Sequence, residues 1–204
     1  MADVTLTYKG STIAEMNDTG SKTLKTSGKY CEGDIGVSYV KPEGGTSDEL
    51  TKKIITREGD ITELPSDITK IGSYAFHNSN NLVLTSLPNS ITGIGSFAFS
   101  GCNNLALTSL PEGLNNINND AFNGCPKLAL TSLPNSITSI WEEAFAYCTG
   151  LTTITFKTEP IVISSNAFYG CTNLTDIYVP WAEGAVSGAP WGATNATIHY
   201  NTTT

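Results

Sequence analysis

An Ala-Phe pair recurs at 75–76, 98–99, 121–122, 144–145 and 167–168, always at the same step of 23. No other feature restricts the fold so far. A fixed step of this length means one small unit copied end to end, so the chain folds by stacking coils rather than by closing around a single core. Other columns keep the step: Leu82, Leu105, Leu128, Leu151 and Leu174; Ile71, Ile94, Ile117, Ile140 and Ile163; Ile68, Ile91, Leu114 and Ile137. A further column runs Leu64, Leu87, Leu110, Leu133, Phe156 and Val179, and proline follows it at every copy but one, where Lys157 stands. Cysteine fills a column at Cys102, Cys125, Cys148 and Cys171, with Ser79 in the first copy.

One such unit cannot bury its own apolar face, whereas stacked units turn each column into a continuous ridge inside the coil. Short alternating groups such as Leu105-x-Leu107 and Leu128-x-Leu130 have the period of a strand with one face buried. Stacked strands then make a parallel ladder with about 4.8 Å between coils. The Ala-Phe pair packs from the opposite wall, alanine permitting close approach and phenylalanine filling the space. Proline after the strand halts the ladder and turns the chain.

These columns resemble the BspA-like class of leucine-rich repeats, whose unit reads approximately I-G-x-x-A-F-x-x-C-x-x-L-x-x-I-x-I-P. Ile94-Gly-Ser-Phe-Ala-Phe-Ser-Gly-Cys102 fits it, as does the run from Ala167 to Pro180. Three early units carry Thr85, Thr108 and Thr131 where that class often has an aliphatic residue, which implies a strand displaced by about one position there. The resemblance implies a right-handed, mostly β leucine-rich-repeat solenoid with a parallel strand ladder. We divide the chain into a small antiparallel β docking domain (1–41), a linker (42–49), the solenoid (50–180) and a C-terminal cap (181–204).

Residues 1–41 do not repeat. Val4, Leu6 and Tyr8, then Ile13, Leu24, and Ile35, Val37 and Tyr39 suggest about four strands separated by Gly10, Asn17-Asp18, Gly20 and Gly28. Thr46 and Glu49 have capping-box spacing and would open a short helix. That helix, or Ile54-Ile55 as a strand, would shield the first coil, because an open strand edge recruits other chains. After Pro180, a segment rich in small residues carries Trp181 and Trp191 before a last strand near Thr197–His199. The indoles either cover the final coil or form a ligand platform.

The net charge is −8 and only 15% of residues are charged, so binding to nucleic acid or anionic lipid through a basic surface is not expected. No apolar run is long enough for a membrane-spanning helix, and the start lacks a secretion-signal pattern, so synthesis without export by that route is expected. The cysteine column, one thiol per repeat, offers no zinc spacing and sets the thiols parallel rather than facing. We read them as reduced apolar fillers, and Cys31 as a structural thiol.

No catalytic motif occurs. Gly93-x-Gly95-x-x-Ala98 formally matches a dinucleotide fingerprint but lies in repeat register without the strand–turn–helix setting. Glu142 and Glu143 could form an acid/base or metal pair, or be solvated acids. No catalytic, cofactor-binding or metal-ligating residue is assigned, and no cofactor is expected. The variable columns are more telling. One reads Tyr74, Phe97, Asp120, Glu143, Asn166; the next His77, Ser100, Asn123, Ala146, Tyr169; another Gly72, Gly95, Asn118, Trp141, Ser164. Such variation marks a recognition surface or unselected drift. The candidate binding residues are Tyr74, His77, Phe97, Trp141, Tyr169, Trp181 and Trp191, since aromatics anchor proteins and sugars.

The N-terminal run Lys22-Thr-Leu-Lys-Thr-Ser-Gly-Lys-Tyr-Cys-Glu-Gly-Asp-Ile-Gly-Val37 looks like a small β-module of structural proteins from phages and prophages of gut bacteria. The closing run from Tyr178 to Asn201 looks like the end of repeat proteins from the same source. Together they imply a non-enzymatic virion component (tail fibre, baseplate or decoration). Its partners would be other virion proteins through residues 1–41 and a host glycan or protein, and a thin N-terminal module suits assembly into a multimer. The alternative is a bacterial cell-surface adhesin.

Overall fold

In the computed structural model each repeat copy becomes one coil. The structure describes residues 61–64, 68–80, 82–159 and 162–202, together with the backbone of six strands nearer the N-terminus. Those strands are β1 (Val4–Tyr8), β2 (Ser11–Met16), β3 (Leu24–Thr26), β4 (Ile35–Val37), β5 (Glu49–Leu50) and β6 (Ile54–Thr56). With β7 (Ile61–Glu63), β1, β2 and β3 form a four-stranded sheet of order β2-β1-β3-β7, and β4 pairs with β6. The sheet is mixed rather than wholly antiparallel, because β1 runs antiparallel to β2 and parallel to β3. Residues 42–48 of the expected linker, and Cys31, lie outside the described residues.

Every coil then contributes a two-residue strand to one wall: β8 (Lys70–Ile71), β9 (Gly93–Ile94), β10 (Asn116–Ile117), β11 (Ser139–Ile140) and, after β12 (Thr153–Thr155), β13 (Val162–Ile163). The isoleucine points inward and its neighbour outward, as the strand period requires. Pairing is parallel, with Ile71 opposite Ile94 and Ile140 opposite Ile163. The segment around Glu49, expected as a helix, is instead strand β5. It pairs in parallel with β8, placing Leu50 opposite Ile71. The ladder edge offers unpaired backbone groups, and a strand satisfies them where a helix cannot. Ile54 and Ile55 pair with β4 and do not cover that edge.

The ladder is interrupted once. Strands β5-β8-β9 form one sheet and β10-β11-β13 another. In other coils a backbone N–H one coil on serves the isoleucine carbonyl, as Gly95 N–H does for Ile71 and Trp141 N–H for Ile117. At the seam the Asn118 side chain substitutes, its Nδ2 donating to Ile94 O at 2.6 Å.

The leucine wall departs from expectation. In the early coils Leu84, Leu107 and Leu130 are buried, but the chain bends at Thr85, Thr108 and Thr131 and forms no regular strand. Regular strands begin only where Ile154 and Ile177 replace those threonines, in β12 and in β14 (Asp176–Tyr178). A β-branched apolar residue can continue the buried face, whereas threonine turns out to solvent and takes the backbone with it.

The interior is filled by the columns. Phe76, Phe99, Phe122, Phe145 and Phe168 are fully buried and stacked, with ring centroids 5.3–5.5 Å apart. Each column cysteine is buried and donates its S–H to a phenylalanine carbonyl one coil back, from Cys102 to Phe76 through to Cys171 to Phe145. Burial pushes the Cys102 and Cys171 thiols up to about 12. The solenoid ends with β15 (Thr197–His199), which pairs with β14 and places Thr197 opposite Asp176, two positions short of the regular repeat step.

Candidate functional site

Between the strand wall and the leucine wall, each coil passes through a tight turn: 72–78, 95–101, 118–124, 141–147 and 164–170. Alternate backbone groups have different duties. Ala75 and His77 N–H bond back to Gly72 and Tyr74 carbonyls, while Tyr74, Phe76 and Asn78 N–H reach forward to Ser96, Ala98 and Ser100 in the next coil. The same alternation recurs at Phe97, Phe99 and Gly101. It buries the Ala-Phe pair and keeps the residue before the pair, from Tyr74 to Asn166, out of the interior.

The geometry requires left-handed backbone at two columns. In the first stand Tyr74, Phe97, Asp120 and Glu143, with φ of 60°, 58°, 54° and 50°. In the second are Asn78, Gly101, Gly124, Tyr147 and Gly170. Glycine suits the second column, since a Cβ costs roughly 1–2 kcal/mol in that conformation. Bulky side chains are uncommon in this left-handed region, so the first column presents its aromatics and acids at an energetic cost.

Four of the five large apolar side chains exposed among the described residues lie on this turn wall: Tyr74 (50%), Trp141 (42%), Tyr147 (50%) and Tyr169 (48%). Tyr74 stacks on half-buried Phe97 at 4.7 Å and 3°, and His77 stands edge-on to both. The His77 Nε2 accepts from Asn78 Nδ2 at 3.0 Å, while its buried Nδ1 has no partner. Tyr147 meets Tyr169 edge to face at 5.5 Å. Partial desolvation, and then Tyr169 beside it, holds the Tyr147 phenol above its ordinary value. Between the aromatic ends lie Asp120, Glu142 and Glu143. Asn123 Nδ2 donates to both Asp120 Oδ1 (2.7 Å) and Glu143 Oε2 (3.1 Å), and Glu142 accepts from Ser164 and Asn166.

Five of the seven residues selected from sequence, Tyr74, His77, Phe97, Trp141 and Tyr169, therefore fall on one wall. Trp181 and Trp191 do not. They are 5% and 0% exposed and pack with Phe156, at 5.3 and 6.0 Å, to fill the end of the coil. Trp191 stands one repeat step beyond Phe168 in sequence but takes the alanine position of the turn: its carbonyl accepts from Phe168 N–H, as the Ala167 carbonyl does from Phe145 N–H one coil earlier. Tyr147 was missed. Its signal was available, as a tyrosine in a column otherwise held by asparagine and glycine. Glu142 and Glu143 bond to neutral donors. Among the described residues no group of three His, Cys, Asp or Glu side chains could hold a metal ion.

The family model described as BspA type leucine rich repeat region matches residues 61–183, in six copies. The chain belongs to this family. Members of the BspA-type repeat family are typically non-enzymatic interaction scaffolds. Among solved structures, the leucine-rich repeat protein TpLRR of T. pallidum is 26% identical, with a TM-score of 0.55 over 82% of this chain and 78% of that one. A leucine-rich repeat protein from Bacteroides ovatus ATCC 8483 shares the fold at 24% identity and a TM-score of 0.50. It covers 73% of this chain, which spans 46% of the Bacteroides protein's length. No curated protein matches the chain. No helix among the described residues is long and apolar enough to cross a membrane.

Proposed function

We propose that this BspA-type chain is a non-enzymatic interaction module that makes its contacts through the turn wall. The observation carrying this reading is the gathering there of four of the five exposed large apolar side chains. Exposed aromatics add little to the fold, and two of the four, Tyr74 and Tyr147, are held on left-handed backbone at an energetic cost, so their concentration on one wall favours recognition over drift. Residues 1–41 are assigned to docking on a larger assembly. The likeness of both ends to phage structural modules supports a virion component whose solenoid touches a host glycan or protein, or another virion protein. Family membership is equally compatible with a bacterial cell-surface adhesin.

Photo-crosslinking tests the contact surface. A photoreactive phenylalanine at position 74 or 169 is expected to trap a discrete partner in the producing culture, and one at position 138, on the opposite side of the strand wall, is not. Equal trapping from all three, or trapping from position 138 alone, would count against the turn wall. Location separates the two settings. Recovery in purified phage particles, with adsorption lost on gene deletion, supports the virion reading. Recovery in the cell wall of a non-lysing culture supports the adhesin.

A further inference from the structure

We infer that the turn wall takes an extended segment of a partner protein that carries arginine or lysine at its centre. This rests on the wall being the contact surface and adds the chemistry of what it contacts. No position of the five turn segments is lysine or arginine, whereas Asp120, Glu142 and Glu143 lie at the middle of the wall. The carboxylates are held only by amide and hydroxyl donors, and among the described residues none is paired with a cation. The lysines of the described residues, Lys70, Lys127 and Lys157, lie outside the turn segments, and Lys157 is taken by Glu112 at 3.6 Å.

Asp120 and Glu143 occupy the same column in successive coils and are bridged by Asn123 Nδ2, which holds the two carboxylates side by side and leaves Asp120 Oδ2 and Glu143 Oε1 for a further donor. A guanidinium fork satisfies two such oxygens at once, and an ammonium can bridge them. Tyr74 and Phe97 on one side, and Tyr147 and Tyr169 on the other, flank the acids with aromatic surface that attracts cations as well as apolar side chains. From Tyr74 to Tyr169 is four coil steps, about 19 Å at roughly 4.8 Å each, which matches about six residues of extended chain.

The test uses the full chain and labelled eight-residue Gly/Ser/Tyr peptides differing only in their two central residues: Arg, Lys, Gln or Glu. Fluorescence anisotropy is expected to rank Arg first, Lys second, Gln weak and Glu absent. Raising salt from 50 to 300 mM should weaken Arg-peptide binding several-fold as exposed charges are screened. Asp120→Asn with Glu143→Gln should weaken it about fivefold, the combined worth of two exposed ion pairs. Glu159→Gln with Glu183→Gln removes equal charge elsewhere and should leave binding unchanged. Circular dichroism confirms that each variant is folded.

Equal weakening by both double variants would reduce the effect to net charge and overturn the inference. So would the absence of Arg-peptide binding. If the Gln peptide binds as tightly as the Arg peptide and Tyr74→Ser or Tyr169→Ser weakens both, the cation assignment fails while the contact surface stands. If no wall substitution changes any binding, both fail.

Discussion

Cys125 Sγ donates to the backbone carbonyl of Phe99, 3.1 Å away and one coil back. The same bond repeats at every column cysteine. It explains why cysteine fills this column: the thiol is small and apolar enough for the interior, yet supplies a donor to a carbonyl that faces away from water.

The thiols should therefore be inert in the native protein. Burial raises all four, Cys102 and Cys171 to about 12, so almost none is thiolate at pH 8. Peptide-resolved iodoacetamide labelling at that pH should modify them only after denaturant is added. The linkage has a definite sign. A raised thiol keeps its proton in the folded chain and loses it in the unfolded one, so stability is full below about pH 9 and falls as pH rises above it. Denaturant midpoints measured from pH 8 to 11 should fall, and less steeply in Cys125→Ala.

Phe122 lies mid-stack, 5.3 Å from Phe99 and 5.5 Å from Phe145, with no exposed surface. Phe122→Ala should cost about 3–5 kcal/mol through lost burial and a cavity that neighbouring coils cannot close. Tyr169→Ala, on the exposed wall, should stay within about 0.5 kcal/mol. Urea unfolding of both variants gives the comparison.

Gly124 and Gly95 separate two reasons for glycine. At Gly124 a Cβ would have room, the nearest atom being 3.7 Å away, but φ is +69°. Gly124→Ala should cost roughly 1–2 kcal/mol from backbone strain alone. At Gly95 a Cβ would come within 2.4 Å of Ser73 N in the preceding coil. Gly95→Ala must push two coils apart and should lower the thermal midpoint further than Gly124→Ala.

The cap carries an acid-sensitive contact. Asp176 is held below its ordinary value by the bond from His199, then by Thr175. A carboxylate lowered in the folded state stabilises above its unfolded pKa, and that contribution is lost as pH falls through the folded value. Thermal midpoints between pH 5 and 2 should fall less steeply in Asp176→Asn than in the parent chain.

The step of 23, the inward columns and the existence of a parallel ladder were legible in sequence, because stacking makes each buried position recur. Strand placement was not. Leu105-x-Leu107 alternates like a strand, yet the exposed threonines bend it, and the ladder on the isoleucine wall uses only two residues per coil, too few to show a period. Glu49 satisfied a helix-capping pattern, but the unpaired edge beside Ile71 outweighed that local preference. Five candidate surface residues were found because exposed columns vary. Trp181 and Trp191 cover the final coil, the first of the two roles read for them, and do not form a ligand platform. The left-handed column at Tyr74 leaves no compositional trace, since glycine is the usual sign and none stands there.

Asn118 has a mechanical consequence. Across β9 and β10 a single side-chain amide closes what backbone closes elsewhere, while Phe99 and Gly101 N–H keep their forward bonds to Ala121 and Asn123 at the same level. Tension along the axis would open that one side and leave the other latched. The molecule would flex there like a spine with one loose vertebra, swinging its two aromatic clusters relative to each other without parting the stack.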